Sequence, residues 1–513
     1  MSHDQAMSKS PAGLHTIPLS LLDSTTANFA NTNAVWAFEQ PAKLDSFDKV
    51  IQHLRKCLCL VLEAYPPWCG TLKAATGTAD EGTRAFPPHC QRYGRLYAVY
   101  GTDDDTGVEF TAAKSTATLA DIHPSYRQAE QPQWNRRDGL DCFLSPSRLG
   151  NPLRTGNKED DGVCESLMAI MITQLACQGV VISAKMAHPL GDITTLVAFM
   201  KDWAQISRAE LGMSDLHRIP RLFNPLRLDS LATGDIDSQR PDDKIVTLAH
   251  SLPMHRYDWW HSSRPDAFKD RDISPMGTAM PWAEWNTQQQ LSHYTIHLNK
   301  QQVDYLWRQA NVTSETPISR HDAILGHTWS CISRARQLQD DKPVHCDLVY
   351  GLRPALGLGE MFLGSPIIML NIELPSDVVS DSQCAAPVAR KIRSTLVQMS
   401  SEDNIKAHLH ALAFEMSPQR IWQAFLGSRH ILATSWARAG LYEVDFGLGG
   451  RLRFADGVIS GVDGLVLIKE APPQAVDASS SGSWTEYGVD VTMHICEDDM
   501  ERLLNDPILL PQV

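Results

Sequence analysis

Apolar residues along the chain recur with two periods, and each period predicts an element. Phe47, Val50, Ile51, Leu54, Leu58, Val61, Leu62 and Tyr65 fall at helical steps, and Pro66-Pro67 ends that helix. Leu19-Ser-Leu-Leu-Asp23 opens the fold after a polar stretch, residues 1–15, expected to fray. The segment YPPWCGTL is a turn leading into a strand. Residues 95–100 and 108–112 read as strands around the turn-rich Thr102-Asp-Asp-Asp-Thr-Gly107. Residues 166–176 and 180–187 form another strand pair, after a polar, mobile surface loop at 145–162. Ile193, Leu196, Val197, Met200, Trp203 and Ala204 then return to helical spacing. Pro189 decides what lies between. A residue before proline is pushed out of the α region, so His188 ends the strand. Asp192 falls at the helix entrance, where a carboxylate caps free N–H groups and meets the positive end of the dipole.

Periodicity fails from 211 to 290, which reads as a crossover between residues 1–210 and 291–513. Beyond it, strands are expected at 294–298, 346–352, 367–374, 434–446 and 489–495. Helices are expected at 300–311, 319–338 and 386–399, with a last one from Glu497. Residues 353–366 are rich in Gly and Pro, and Ser479-Ser-Ser-Gly-Ser483 reads as a flexible insertion. Strands and helices mix in both halves, so the fold class is α/β (α+β) in two layers, with no short repeat.

Composition narrows the function. The chain has 513 residues, 43% hydrophobic and 21% charged, as a soluble globular protein does. A net charge of −14 argues against nucleic acid or an anionic membrane as partner. Eleven cysteines, none in a C-x-x-C pair, fit free thiols in a reducing compartment. With no signal-peptide core at the start and no long apolar run, the expected location is the cytoplasm.

An imidazole at a strand end, oriented by a short turn, is suited to general-base work, and local sequence leaves a backbone-bonded core histidine equally open. H-x-x-x-D occurs twice, at His188–Asp192 and His494–Asp498. His494 lies on the polar side of the alternation Val489, Val491, Met493, Ile495, whereas His188 shares a face with Ile182, Ala184 and Met186. There is no G-x-S-x-G, P-loop or H-E-x-x-H. His321 and His327, and likewise His408 and His410, lack the helical spacing of metal ligands, so no metal is expected.

His188-x-x-x-Asp192 followed by Asp445-Phe-Gly-Leu-Gly449 resembles the two signatures of the BAHD acyltransferases. LSLLD, YPPWCGTL and Trp436 stand in the matching order, and the long crossover is closer to the fungal, trichothecene-acetyltransferase-like branch. The resemblance implies two chloramphenicol-acetyltransferase-like domains, each a mixed sheet flanked by helices. It implies His188 as general base in a channel between them, acyl-CoA as co-substrate, no permanently bound cofactor, and a small-molecule, secondary-metabolite acceptor for a monomeric enzyme. Asp192 would pair with Arg353, and Asp445 would shape the fold. Thr434 and Trp436 would face the acyl oxygen, with simple packing of Trp436 equally open, and Ser319 with Arg320 would meet a CoA phosphate, although Ser319 with Asp322 three residues later reads first as a helix cap alone. The pattern departs at Ile193 for Gly, at Leu448 for Trp, and at Phe362-Leu-Gly-Ser365 for Y-F-G-N. A carrier-protein-dependent condensation-type transferase would carry H-H-x-x-x-D-G, against which Ala187 and Ile193 stand. A catalytically silent binding homologue is the remaining alternative.

Overall fold

The computed structural model describes residues 2–6 and 13–513 apart from 79, 138, 154–165, 216–220, 222, 274, 313, 339, 341, 382–384 and 475–482. The loop expected at 145–162 is therefore described only to residue 153, and the insertion at 479–483 only at Ser483. The start expected to fray is in part a strand: residues 2–6 pair antiparallel with residues 108–112.

Two large sheets carry the fold. The first orders its strands as 2–6, Val108–Lys114, Met168–Gln174, Val180–Met186, Thr32–Phe38 and Leu452–Gly457. The second runs Ile367–Pro375, Pro343–Gly351, His430–Ser435, Leu465–Glu470, Val489–Cys496, Leu291–Leu298 and Gln133–Asn135. Each takes one edge strand from the other half of the sequence: Gln133–Asn135 joins the second sheet and Leu452–Gly457 the first. A buried polar layer links them. Arg136 reaches Asp456 at 2.7 Å, and the fully buried Lys469 ammonium stands 3.7 Å from Asp456 and 3.6 Å from Asp490.

The helix Phe47–Leu62 starts at Ser46, whose hydroxyl accepts the Lys49 N–H, and buries Val50, Leu54, Leu58 and Val61. It packs on Ile193–Glu210, where the Trp203 indole donates to the Leu54 carbonyl at 3.1 Å. Lys300–Asn311 and Ala386–Met399 form as the spacing predicts, and the longer helix spans Arg320–Arg336. No helix among the described residues is long and apolar enough to cross a membrane.

Several expectations need correction. The strand expected at 434–446 lies earlier, at His430–Ser435, and a turn with Gly440 at φ +73° follows it. Strands Leu452–Gly457 and Leu465–Glu470 were not foreseen. The polar side of Val489–Cys496 does not face water, since every residue of that strand is buried. Its polar residues meet polar partners across the sheet: Asp490 with His297, Thr492 with Thr295, and His494 stacked 4.0 Å from His293. The crossover is not structureless. It carries the helices Pro225–Asp229 and Asp243–His250, the second capped by Asp242 and packed on Glu402–Phe414. A two-turn helix is too short to leave a readable period.

Candidate active site

The strand Val180–Met186 stops at Ala187, which is extended, and His188–Leu190 makes one tight turn. Gly191 follows because nothing larger fits: a Cβ there would stand 2.3 Å from Thr195 Cγ2. Asp192 then caps Ile193–Glu210, accepting the Thr195 N–H at 3.0 Å.

His188 is half-buried, with Phe29 edge-on at 5.3 Å. Its Nδ1 lies 3.2 Å from the Ser365 hydroxyl, and that hydroxyl donates its single hydrogen to the His188 carbonyl at 2.7 Å. The Ser365 oxygen is left to accept, so Nδ1 carries the proton and Nε2 keeps its lone pair. Ser365 is held in turn by Asp23, which accepts its N–H at 2.6 Å and whose own pKa burial raises to about 6. Burial lowers the His188 pKa below its ordinary value, and the Asp192 charge opposes this in part. The neutral imidazole is therefore favoured.

Asp192 faces away from the imidazole. Arg353 grips it with two bonds, of 2.6 and 3.0 Å, and also donates to Thr195, Gly364 and Phe362. Both side chains are almost fully buried. The bond set ties the His188 turn to residues 362–365, which carry Ser365.

Two cavities meet at His188. One, about 540 Å³, has a polar wall that includes Asp141, Ser145, Asn151 and Lys185. The other, about 860 Å³, is largely apolar, walled by Ile193, Met369, Trp422, Leu432 and Trp436, with Thr434 and Arg353 beside them. Phe29, Asn31, Asn33 and His188 border both. Thr434 and Trp436 thus share a cavity with His188.

The other residues singled out in the sequence lie elsewhere. Asp445 is exposed and accepts the Gly447 N–H at 2.8 Å, while Phe446 packs under Trp203 at 4.9 Å. Ser319 caps Arg320–Arg336 in a box with Asp322. Arg320 pairs with Asp304 at 2.8 Å and lies over the Trp307 ring. Neither Ser319 nor Arg320 lines the two cavities. Ser365 was legible in the sequence only as a departure from an expected Asn. Its contact with His188 gives it a purpose. Ser365→Ala is expected to lower kcat by roughly 10- to 100-fold, the scale of a lost hydrogen bond to a charged imidazolium at about 1.5–3 kcal/mol. Both KM values should hold, and an unchanged kcat would remove Ser365 from the mechanism.

Two mixed sheets exchange edge strands, and His188 borders two cavities. Residues 102–506 match the Transferase family. The chain belongs to this family, the BAHD acyltransferases, and is an acyltransferase. It is similar to acyltransferase AFT15-1 of Alternaria alternata, 26% identical over 93% of this chain and 90% of that one. Acyltransferase abl6 of Leptosphaeria maculans is 22% identical, covering 97% of this chain and 95% of that protein. Among solved structures, F. graminearum TRI101, complexed with coenzyme A and deoxynivalenol, superposes with a TM-score of 0.68 at 16% identity. That match covers 96% of this chain and 98% of TRI101.

Proposed function

We propose that the enzyme moves an acyl group from acyl-CoA to a hydroxyl or amine of a small secondary metabolite, with His188 as general base. The observation that carries this is an imidazole with its Nε2 lone pair available where two cavities meet. Nε2 takes the acceptor proton as the acceptor oxygen or nitrogen attacks the thioester carbonyl. The Thr434 hydroxyl and Trp436 indole are donors for the tetrahedral oxyanion. When the intermediate collapses, the C–S bond breaks and the imidazolium returns its proton to the departing CoA sulfur. The apolar wall of the 860 Å³ cavity suits an acceptor with a hydrocarbon-rich skeleton. Asp192, Arg353 and Asp445 hold the framework, the first two at the wall of the larger cavity.

The acyl-CoA phosphates are read at the helix that begins after Ser319. Its free N–H groups favour an anion, and Arg393, paired with Asp322 of the first turn, adds a guanidinium beside it. Arg320, already shared with Asp304, adds a partly exposed charge. Arg320→Ala should raise the KM for acyl-CoA about two- to fivefold, the worth of an exposed ion pair, with kcat and the acceptor KM unchanged. A change in the acceptor KM instead would put the substrates on the opposite sides of His188.

This reading takes residues 1–210 and 291–513 as the two lobes, with 211–290 as crossover and one edge strand exchanged each way. It takes the enzyme as a monomer in the cytoplasm, with no nucleic-acid or membrane partner, the last in keeping with its charge of −14. Incubation with acetyl-, malonyl- and longer acyl-CoAs and a panel of hydroxylated metabolites, read by mass spectrometry, tests it. Acceptor-dependent release of CoA with a matching acyl mass gain is expected. Thioester loss that no acceptor captures would count against it.

A further inference from the structure

On Pro343–Gly351, His345 and Asp347 point to one face of the second sheet, being two residues apart. The neighbouring strand places His430 opposite His345, and the two rings stack at 4.4 Å. The crossover lays a third imidazole over them: the His255 ring centre is 5.1 Å from that of His345 and 5.5 Å from that of His430. One ligand nitrogen from each ring lies within 4.8 Å of the others.

In two of the three rings the committed nitrogen is Nδ1, which leaves Nε2 bare. His430 Nδ1 donates to Asp347 at 3.0 Å, and His345 Nδ1 to Asn371 at 3.0 Å, so both Nε2 atoms carry lone pairs. His255 Nε2 approaches Asp347 to 3.2 Å without the alignment of a hydrogen bond, and both atoms are buried without another partner. A buried carboxylate behind imidazoles is the arrangement that orients histidine for a metal ion. The trio His89, Cys90 and Asp229 makes the contrast plain. There both His89 nitrogens are already taken, by Asp229 and Asp237, and no imidazole lone pair is left.

We propose that His255, His345 and His430 bind one divalent transition-metal ion of the zinc type, oriented by Asp347 and Asn371, and that the ion fastens the crossover to the second sheet. Three neutral nitrogen donors suit Zn²⁺, Co²⁺ or Ni²⁺ rather than Mg²⁺ or Ca²⁺. Bonds of about 2.1 Å in a tetrahedral site bring ligand atoms to roughly 3.4 Å apart, so small ring rotations close the set. Side-chain exposures of 12% for His255 and 13% for His345 leave room for water as fourth ligand. The crossover is already anchored beside this point, where Asn371 N–H donates to the Pro253 carbonyl at 2.7 Å. His345 lies on the same strand as Val349, which walls the larger cavity, four residues further on. That is about 13 Å along a strand, so the ion is structural rather than a partner of His188.

The test uses untagged full-length protein, stripped with chelator and titrated with Co²⁺ alone. One equivalent is expected, with the visible absorption of a four-coordinate nitrogen site and an upward shift of the thermal midpoint. His345→Gln and His255→Gln, each checked by circular dichroism, should weaken binding at least about 100-fold, beyond the usual cost of altering an outer partner. His494→Gln, in the other stacked pair, should bind as wild type. Absence of a saturable equivalent, or Co²⁺ binding unchanged in both cluster variants, overturns the site.

Discussion

His188→Ala is expected to lower kcat by about 10²- to 10⁴-fold, the usual contribution of a positioned general base. The fold should survive, because the ring sits at a cavity wall and its main anchors, the Ser365 bond and the Phe29 edge, are local. Residual transfer would come from binding and from the Thr434 and Trp436 donors. Removal of His494 is the matched control. It repeats H-x-x-x-D, yet its ring stacks on His293 and lines neither cavity. His494→Ala should keep kcat near wild type, whereas turnover lost there and kept in His188→Ala would move the chemistry to the other motif.

The Asp192–Arg353 pair gives the second large effect. Breaking a buried ion pair from one side leaves the other charge uncompensated, at a cost of about 3–5 kcal/mol. Asp192→Asn and Arg353→Met should each cost that much, measured by denaturant unfolding. Arg353→Met also strips donors from the Gly364 and Phe362 carbonyls, so its loss falls at the upper end. The double variant should cost far less than the sum, since neither charge is then left alone. Strict additivity would mean that Asp192 acts only as the cap of Ile193–Glu210.

Much of this was legible in the sequence where local rules operate alone. The spacing after Ile193 and the position of Asp192 placed the helix and its cap, whereas the strand end expected at His188 falls earlier, at Met186, and His188 opens the one-turn helix His188–Leu190. Helices at 47–62, 300–311 and 386–399 stood out because each buries one stripe. Non-local features were not legible. Leu452-Arg-Phe-Ala-Asp-Gly457 has a weak alternation and becomes a strand because Thr32–Phe38 offers it an edge. Lys469, Asp456 and Asp490 are buried together by the two sheets, a grouping that no local pattern marks. His255, His345 and His430 follow no ligand spacing, since sheet register and the crossover bring them together. Ser365 shows the same limit at the active site. A short polar residue in a Gly-rich loop gains its meaning only from the ring it faces.

The most direct measurement is the pH dependence of kcat/KM for the acceptor, with acyl-CoA saturating. A base acts in its neutral form, and burial holds the His188 pKa below the ordinary 6.5. Activity should therefore stay level as pH falls through 6.5 and decline only below it, as the imidazole takes up a proton. The small residual rate of His188→Ala should lack that decline. A limb centred at or above 6.5, or the same acid limb retained in His188→Ala, would contradict His188 as the base of acyl transfer.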